Sequence, residues 1–286
     1  MKCGVYLPNF GPYGDIRALV GLARDAERAG WDGFFLWDHI ANRGSPVPMV
    51  DPWVALAAIA VATQRLWIGA LVTPLPRRRP WKVARETVSL DHLSGGRLIV
   101  GVGIGSGRAT EWDDLGEETD TRARGRMLDE GLDVLTGLWR GEPFSYQGQY
   151  YRVNAAHFLP IPLQTPRIPV WVAGYWPHKL PMRRAARWDG TFPLYRSEGV
   201  GTLDEFKESV AFIRAERAKL GANGPFEIVY RGISRDPAGA ADHAASFAEA
   251  GATWWLENLV PMMFGGTWDN WPVEAMRERV LQGPPV

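Results

Sequence analysis

The chain has 286 residues, with 32 acidic and 32 basic side chains, 46% hydrophobic residues and a single cysteine. Zero formal charge gives no general drive toward nucleic acid or an anionic membrane, and one cysteine, Cys3, rules out an internal disulfide and a cysteine zinc site. The opening MKCGVYLPNF lacks the basic and long apolar regions of a signal peptide, and no window approaches the ~20 apolar residues of a membrane helix, so a cytoplasmic protein is expected.

Short β-type runs alternate with amphipathic stretches along the chain. Val5-Tyr6-Leu7 stops at Pro8-Asn9 as a first strand, and the pattern from Asp15 to Ala29 predicts a helix closed by Gly30. Gly33 to Trp37 reads as a second strand ending at Asp38-His39. Asp51 is placed to cap a nearly all-apolar helix from Pro52 to Thr63, with proline at its first position. Leu66 to Val72 follows as strand three, then a helix from Pro80 to Leu93 that stops at Gly95-Gly96, then Arg97 to Gly103 as strand four. The fourth crossover is long, polar from Glu111 and helical up to Leu138. Residues 140–168 break the rhythm with a hairpin around Tyr146 to Tyr151 and with Pro160, Pro162 and Pro166, which reads as an insertion and not a linker. Strands five to eight are expected at Pro169 to Gly174, Asp189 to Leu194, Phe226 to Gly232 and Thr253 to Glu257. The helices between and after them are expected at Lys179 to Arg187, Leu203 to Leu220, Pro237 to Ala250 and Pro272 to Leu281.

Eight strand–helix units with strands apolar on both faces predict an α/β fold, a single-domain (β/α)8 barrel with an insertion between strands four and five; an open doubly wound sheet is the alternative. Chemistry in a barrel sits at the C-terminal strand ends. Gly101-Val-Gly103-Ile-Gly105-Ser-Gly107 satisfies G-x-G-x-x-G in no register, which argues against a nicotinamide-binding βαβ unit. Its glycines still leave room for a flat ligand against backbone. No Walker lysine and no G-x-S-x-G elbow is present, and the five histidines show no pair at metal-ligand spacing. His39, just after a buried strand at the barrel mouth, is placed to move a proton near neutral pH. The other two Asp-His pairs, Asp91-His92 and Asp242-His243, lie on helices and read as structural. The Gly174-Tyr175-Trp176 turn precedes a helix and can offer backbone N–H groups to a phosphate. Arg77-Arg78-Arg79 reads either as contact to an anionic cofactor tail or as a solvated loop. Fourteen tryptophans exceed what core packing usually calls for, so some are expected to line a cavity.

Several of these pieces together resemble the bacterial luciferase-like superfamily of flavin- and deazaflavin-dependent oxidoreductases: GVYLPNFG (4–11), GFFLWDHI (33–40), residues 66–105 through L-D-x-L-S-x-G-R to the glycines, residues 124–151, and PVWVAGYW (169–176). The resemblance implies a ring over the C-terminal face of the barrel. Asp38, Leu71, Val72, Thr73, Gly103, Ile104 and Gly105 would contact it, and the phosphate would lie at Gly174, Tyr175 and Trp176. It also implies a bulge in strand three, often with a non-prolyl cis peptide, near Leu71-Val72-Thr73, and a catalytic role for His39. The chain departs from the family where Glu111-Trp112 follows the fourth-strand glycines, and it is shorter than many members after strand seven.

The expected function is therefore oxidoreduction of a small organic substrate, by hydride transfer with coenzyme F420 or by oxygen insertion with reduced FMN. The WDHI motif and the arginine-rich loop tilt the choice toward the deazaflavin. A non-catalytic flavin-binding barrel is one alternative, and a barrel hydrolase using Asp38 and Glu257 as paired carboxylates is another. Family members are commonly dimers, and the apolar helices at Pro52 to Thr63 and Pro80 to Leu93 are the candidate homodimer interface.

Overall fold

In the computed structural model, which describes residues 1–41, 46–106, 109–196, 200–234 and 237–285, the apolar runs form the staves of a parallel barrel. The first four staves are β1 (Lys2–Leu7), β2 (Gly33–Leu36), a broken third stave made of β3 (Trp67–Ala70) and β4 (Thr73–Pro74), and β5 (Val100–Gly103). Outside the barrel, β6 (Phe144–Gln147) and β7 (Arg152–Ala156) pair as an antiparallel hairpin in the expected insertion. The remaining staves are β8 (Val170–Tyr175), β9 (Gly190–Leu194), β10 (Glu227–Gly232) and β11 (Trp254–Asn258). The sheet runs β3-β2-β1-β11-β10-β9-β8-β5-β4, so both of its ends belong to the third stave. The ring closes there: the Ile68 amide donates to Arg97 O and the Ile99 amide to Ile68 O, both at 2.9 Å.

Alternation along each strand divides the interior in two. Phe35, Trp171, Val229, Trp254 and Leu256 fill the lumen, while their chain neighbours join the core under the helices. Trp171 and Trp254 meet across the lumen with ring centroids 5.4 Å apart. Most of the tryptophans thus fill the lumen or the helix layer, and Trp37 is the one that lines the cavity at the mouth.

The helical layer comprises α1 (Ile16–Arg28), α2 (Pro52–Ala62), α3 (Pro80–Ser94), α4 (Thr121–Leu138), α5 (Lys179–Ala185), α6 (Leu203–Lys219), α7 (Pro237–Glu249) and α8 (Val273–Leu281). Local chemistry explains their ends. The Asp51 carboxylate accepts the Val54 amide at 3.0 Å to start α2. Gly95, at φ +68°, ends α3 in a left-handed conformation that a side chain would oppose. The fourth crossover runs from a polar stretch into a helix as expected: residues around Glu111 form short 3-10 turns, and α4 begins where Asp120 caps it and ends at Leu138.

The L-D-x-L-S-x-G-R motif is a structural clasp. Asp91, fully buried, accepts the Leu163 and Gln164 amides at 2.7 and 3.2 Å and Gln164 Nε2 at 2.7 Å, which ties the insertion to α3. The Arg97 guanidinium donates to the carbonyls of Ala60, Thr63 and Leu66 and so closes the C-terminal end of α2.

Candidate active site

The C-terminal stave ends enclose an open cavity of about 290 Å³. Asp38, His39, Leu71, Val72, Gly103, Ile104, Gly105 and Tyr175 line it, together with Tyr6, Trp37, Glu111 and Arg231. The third stave breaks beside it, and the Leu71–Val72 peptide is cis.

His39 is held from two directions. Fully buried Asn9 fixes its backbone: Nδ2 of Asn9 donates to His39 O at 2.8 Å and to Val50 O at 2.7 Å, and the His39 amide donates to Asn9 Oδ1 at 3.2 Å. Glu111, brought in by a 3-10 turn, fixes the ring, with Oε1 at 2.9 Å from His39 Nδ1. The same oxygen accepts the Ile40 amide at 2.9 Å, and Arg77 stands 3.4 Å from Oε2. Burial pushes the Glu111 carboxyl up, but the hydrogen bond and charge of His39, the Ile40 amide and the Arg77 guanidinium outweigh it and hold the group at about 2. An ionised carboxylate only accepts hydrogen bonds. Nδ1 of His39 therefore carries the hydrogen, and Nε2 is the ring nitrogen left for the cavity. Trp37 and Phe10 pack on the imidazole at 5.6 and 5.9 Å between centroids, and Trp268, from the loop after β11, leans on both at 6.1 and 5.5 Å.

Two of the three arginines of the run fold inward onto Asp38. Nη2 of Arg78 donates to both Asp38 oxygens at 2.9 Å and Nη2 of Arg77 to Oδ1 at 3.2 Å, with the Asp38 side chain fully buried. Only Arg79 is exposed. Asp38 thus lines the cavity with its carboxylate already engaged. Glu257, the other half of the hydrolase pair, faces the helix layer instead. It accepts the Ser234 amide and hydroxyl at 3.0 and 2.7 Å and Trp255 Nε1 at 3.0 Å. The two acids do not flank a common space, and the hydrolase reading has no geometry.

Three expected contacts lie off the cavity. A Cβ on Gly174 would sit 2.1 Å from Pro181 Cβ, so this glycine faces α5 and permits strand–helix contact. Trp176 also faces outward, beneath the Lys179 ammonium at 3.6 Å and against Phe212. The amides of the turn are engaged within the chain, Trp176 N to Leu194 O and His178 N to Tyr175 O, and Pro177 has none. Thr73 is fully buried in register with Val102 and is not among the residues that line the cavity. Among the glycines, a Cβ on Gly101 would meet Leu71 at 2.1 Å and on Gly105 would meet Trp112 at 2.2 Å, so both permit packing. On Gly103 its nearest neighbour would be Val72 Cγ2 at 3.2 Å, at the cavity floor. Gly107 and Arg108 lie outside the described residues.

Sequence reasoning missed Asn9, Glu111 and Arg231 as site residues. For Glu111 the signal was present, since Glu111-Trp112 stood out as a departure after the fourth-strand glycines, but nothing in spacing told that the acid turns back onto His39. Among the described residues no group of three or more His, Cys, Asp or Glu side chains is arranged to hold a metal, and no helix is long and apolar enough to cross a membrane.

The model of the luciferase-like monooxygenase family matches residues 1–262. The chain belongs to that family. A Mycobacterium tuberculosis relative, itself uncharacterised, is 32% identical to this luciferase-like chain over 231 residues, 75% of the chain and 76% of the relative. An F420-dependent glucose-6-phosphate dehydrogenase of Gordonia bronchialis is 29% identical over 234 residues, 78% of the chain and 66% of that enzyme. The solved coenzyme F420-dependent tetrahydromethanopterin reductase of Methanopyrus kandleri superposes with a TM-score of 0.74 at 17% identity, over 99% of this chain and 98% of that one, which supports the common barrel fold.

Proposed function

We propose that this chain is a cytoplasmic F420-dependent oxidoreductase acting on a small organic substrate, with His39 as the proton partner. The observation that carries the reading is the His39–Glu111 pair at the cavity beside the broken third stave. The cavity suits a flat ring: Gly103 leaves its floor without a side chain, and the buried Nε1 of Trp37, on its wall, has no acceptor among the described residues. About 290 Å³ is at the low end for small-molecule sites, which suits a ring with its tail running outward. Leu71, Val72, Gly103, Ile104 and Tyr175 would hold the ring.

Bound F420 supplies hydride exchange at its ring, and the chain supplies the matching proton. Nε2 of His39 takes that proton from a substrate oxygen or returns it, while Glu111 keeps Nδ1 protonated and stabilises the imidazolium that forms. Trp37, Phe10 and Trp268 keep water from that side of the imidazole. Reduced FMN with oxygen insertion is the second reading, favoured by the monooxygenase character of the matched family. A homodimer through α2 and α3 belongs to the proposal, supported by the exposed Val54, Val61 and Leu93 on those helices.

The test is turnover with a panel of alcohols, imines and enones, followed by cofactor absorbance with F420 and, separately, with reduced FMN under oxygen. Consumption of F420 with some panel member is expected. Bound cofactor without turnover of any compound would favour the non-catalytic binder.

A further inference from the structure

Arg231 is the cavity's unexplained charge. It lies on β10, where alternation puts Val229 into the lumen and Arg231 at the mouth, on the stave facing the broken third one across the ring. Its Nε is buried with no hydrogen-bond partner, and no ion pair among the described residues includes it. The cavity's acids are engaged elsewhere: Asp38 holds Arg77 and Arg78, and Glu111 holds His39. A half-buried guanidinium without a carboxylate is unfavourable unless something supplies an acceptor.

The neighbours on this wall narrow the class of acceptor. Tyr6 and Tyr175 line the cavity with Arg231, and Ala173 and Leu194 complete the wall with apolar surface. Burial pushes the Tyr6 phenol above its ordinary value despite the opposing charge of Arg231, so it keeps its proton and can donate. This wall offers donors and a cation, and no carboxylate. A planar guanidinium fork matches a carboxylate or phosphate oxygen pair.

We propose that Arg231 recognises an oxyanion, most simply a carboxylate, on the substrate, and so makes the enzyme selective for acids over neutral analogues. The inference rests on the reading of this cavity as the place where cofactor ring and substrate meet. A substrate anchored at Arg231 would extend its body over the exposed face of the ring, on the mouth side, toward His39.

Benzoate and its neutral counterpart benzamide serve as probes, titrated calorimetrically into the parent, Arg231→Met and Arg231→Lys, with circular dichroism confirming the fold. F420 and FMN, each beside its core lacking the phosphate, are titrated optically into the same proteins. The parent should bind benzoate about 10-fold or more tighter than benzamide, as a charge-assisted hydrogen bond allows. Arg231→Met should abolish that preference, Arg231→Lys should restore part of it, and cofactor binding should change little in either. Equal binding of the two probes by the parent, no binding of either, or an unchanged preference in Arg231→Met would overturn the proposal. Loss of FMN or F420 binding in Arg231→Met with the phosphate-free core unaffected would overturn it too, assigning the guanidinium to the cofactor. Failure of the oxidoreductase reading shows separately, as a parent that binds neither cofactor whatever its preference for benzoate.

Discussion

Replacing Glu111 by glutamine removes one negative charge from a buried cluster while keeping the side chain's size. The carboxyl is held at about 2 against an ordinary 4.5: burial raises it, and His39, the Ile40 amide and Arg77 together outweigh burial. A carboxyl depressed in the folded state adds stability that is fully present above its unfolded value and is lost as pH falls toward the folded one. At ~1.36 kcal/mol per unit, this contribution is roughly 3 kcal/mol at neutral pH and roughly half of that at about pH 3. Glu111→Gln should therefore unfold earlier in urea at neutral pH, by roughly 3 kcal/mol, with the gap to the parent narrowing between pH 4.5 and about pH 3. Tryptophan fluorescence through urea titrations at neutral pH, pH 4.5 and about pH 3 reads the gap. A gap of one size at all three would refute Glu111 as the ionised partner of His39.

His39→Ala should lower turnover ~10² to 10⁴-fold, the usual worth of a general acid or base, and change cofactor affinity far less; an alanine variant as active as the parent would return His39 to a structural role. Gly174→Val should destabilise the fold by ~1 to 3 kcal/mol through collision with Pro181, read by thermal melting, whereas a normal melt with lost cofactor binding would restore the phosphate-cradle reading. Asp91→Ala strands the Leu163 and Gln164 donors, at about 1 to 3 kcal/mol. Limited proteolysis should then cut faster within residues 157–168, and parent-like resistance would contradict the clasp.

The barrel was legible because strands buried on both faces leave continuous apolar runs, and because Asp51, Gly95 and the prolines mark helix ends. The cavity floor was legible through the family's motifs, which place Leu71, Val72 and Gly103 together. Gly174 and Trp176 misled because a turn's address does not say which way it faces. Alternation from lumen-filling Trp171 puts Ala173 and Tyr175 inward and Gly174 outward, and that parity needs one residue of known orientation. Arg77 and Arg78 read either as contacts to an anionic cofactor tail or as part of a solvated loop, and their fold under onto Asp38 is a tertiary contact across some 40 residues that no local pattern records. Glu111 sits in irregular 3-10 turns, where periodicity gives no face to read.

F420 binding at the cavity is read by equilibrium titration of the purified parent, followed by the cofactor's absorbance and by quenching of Trp37 and its aromatic neighbours. Saturable binding of one F420 per chain is expected, with Gly103→Leu, which fills the cavity floor, weakening it at unchanged thermal stability. A parent that binds neither F420 nor FMN, or a Gly103→Leu variant that binds as the parent does, would contradict it.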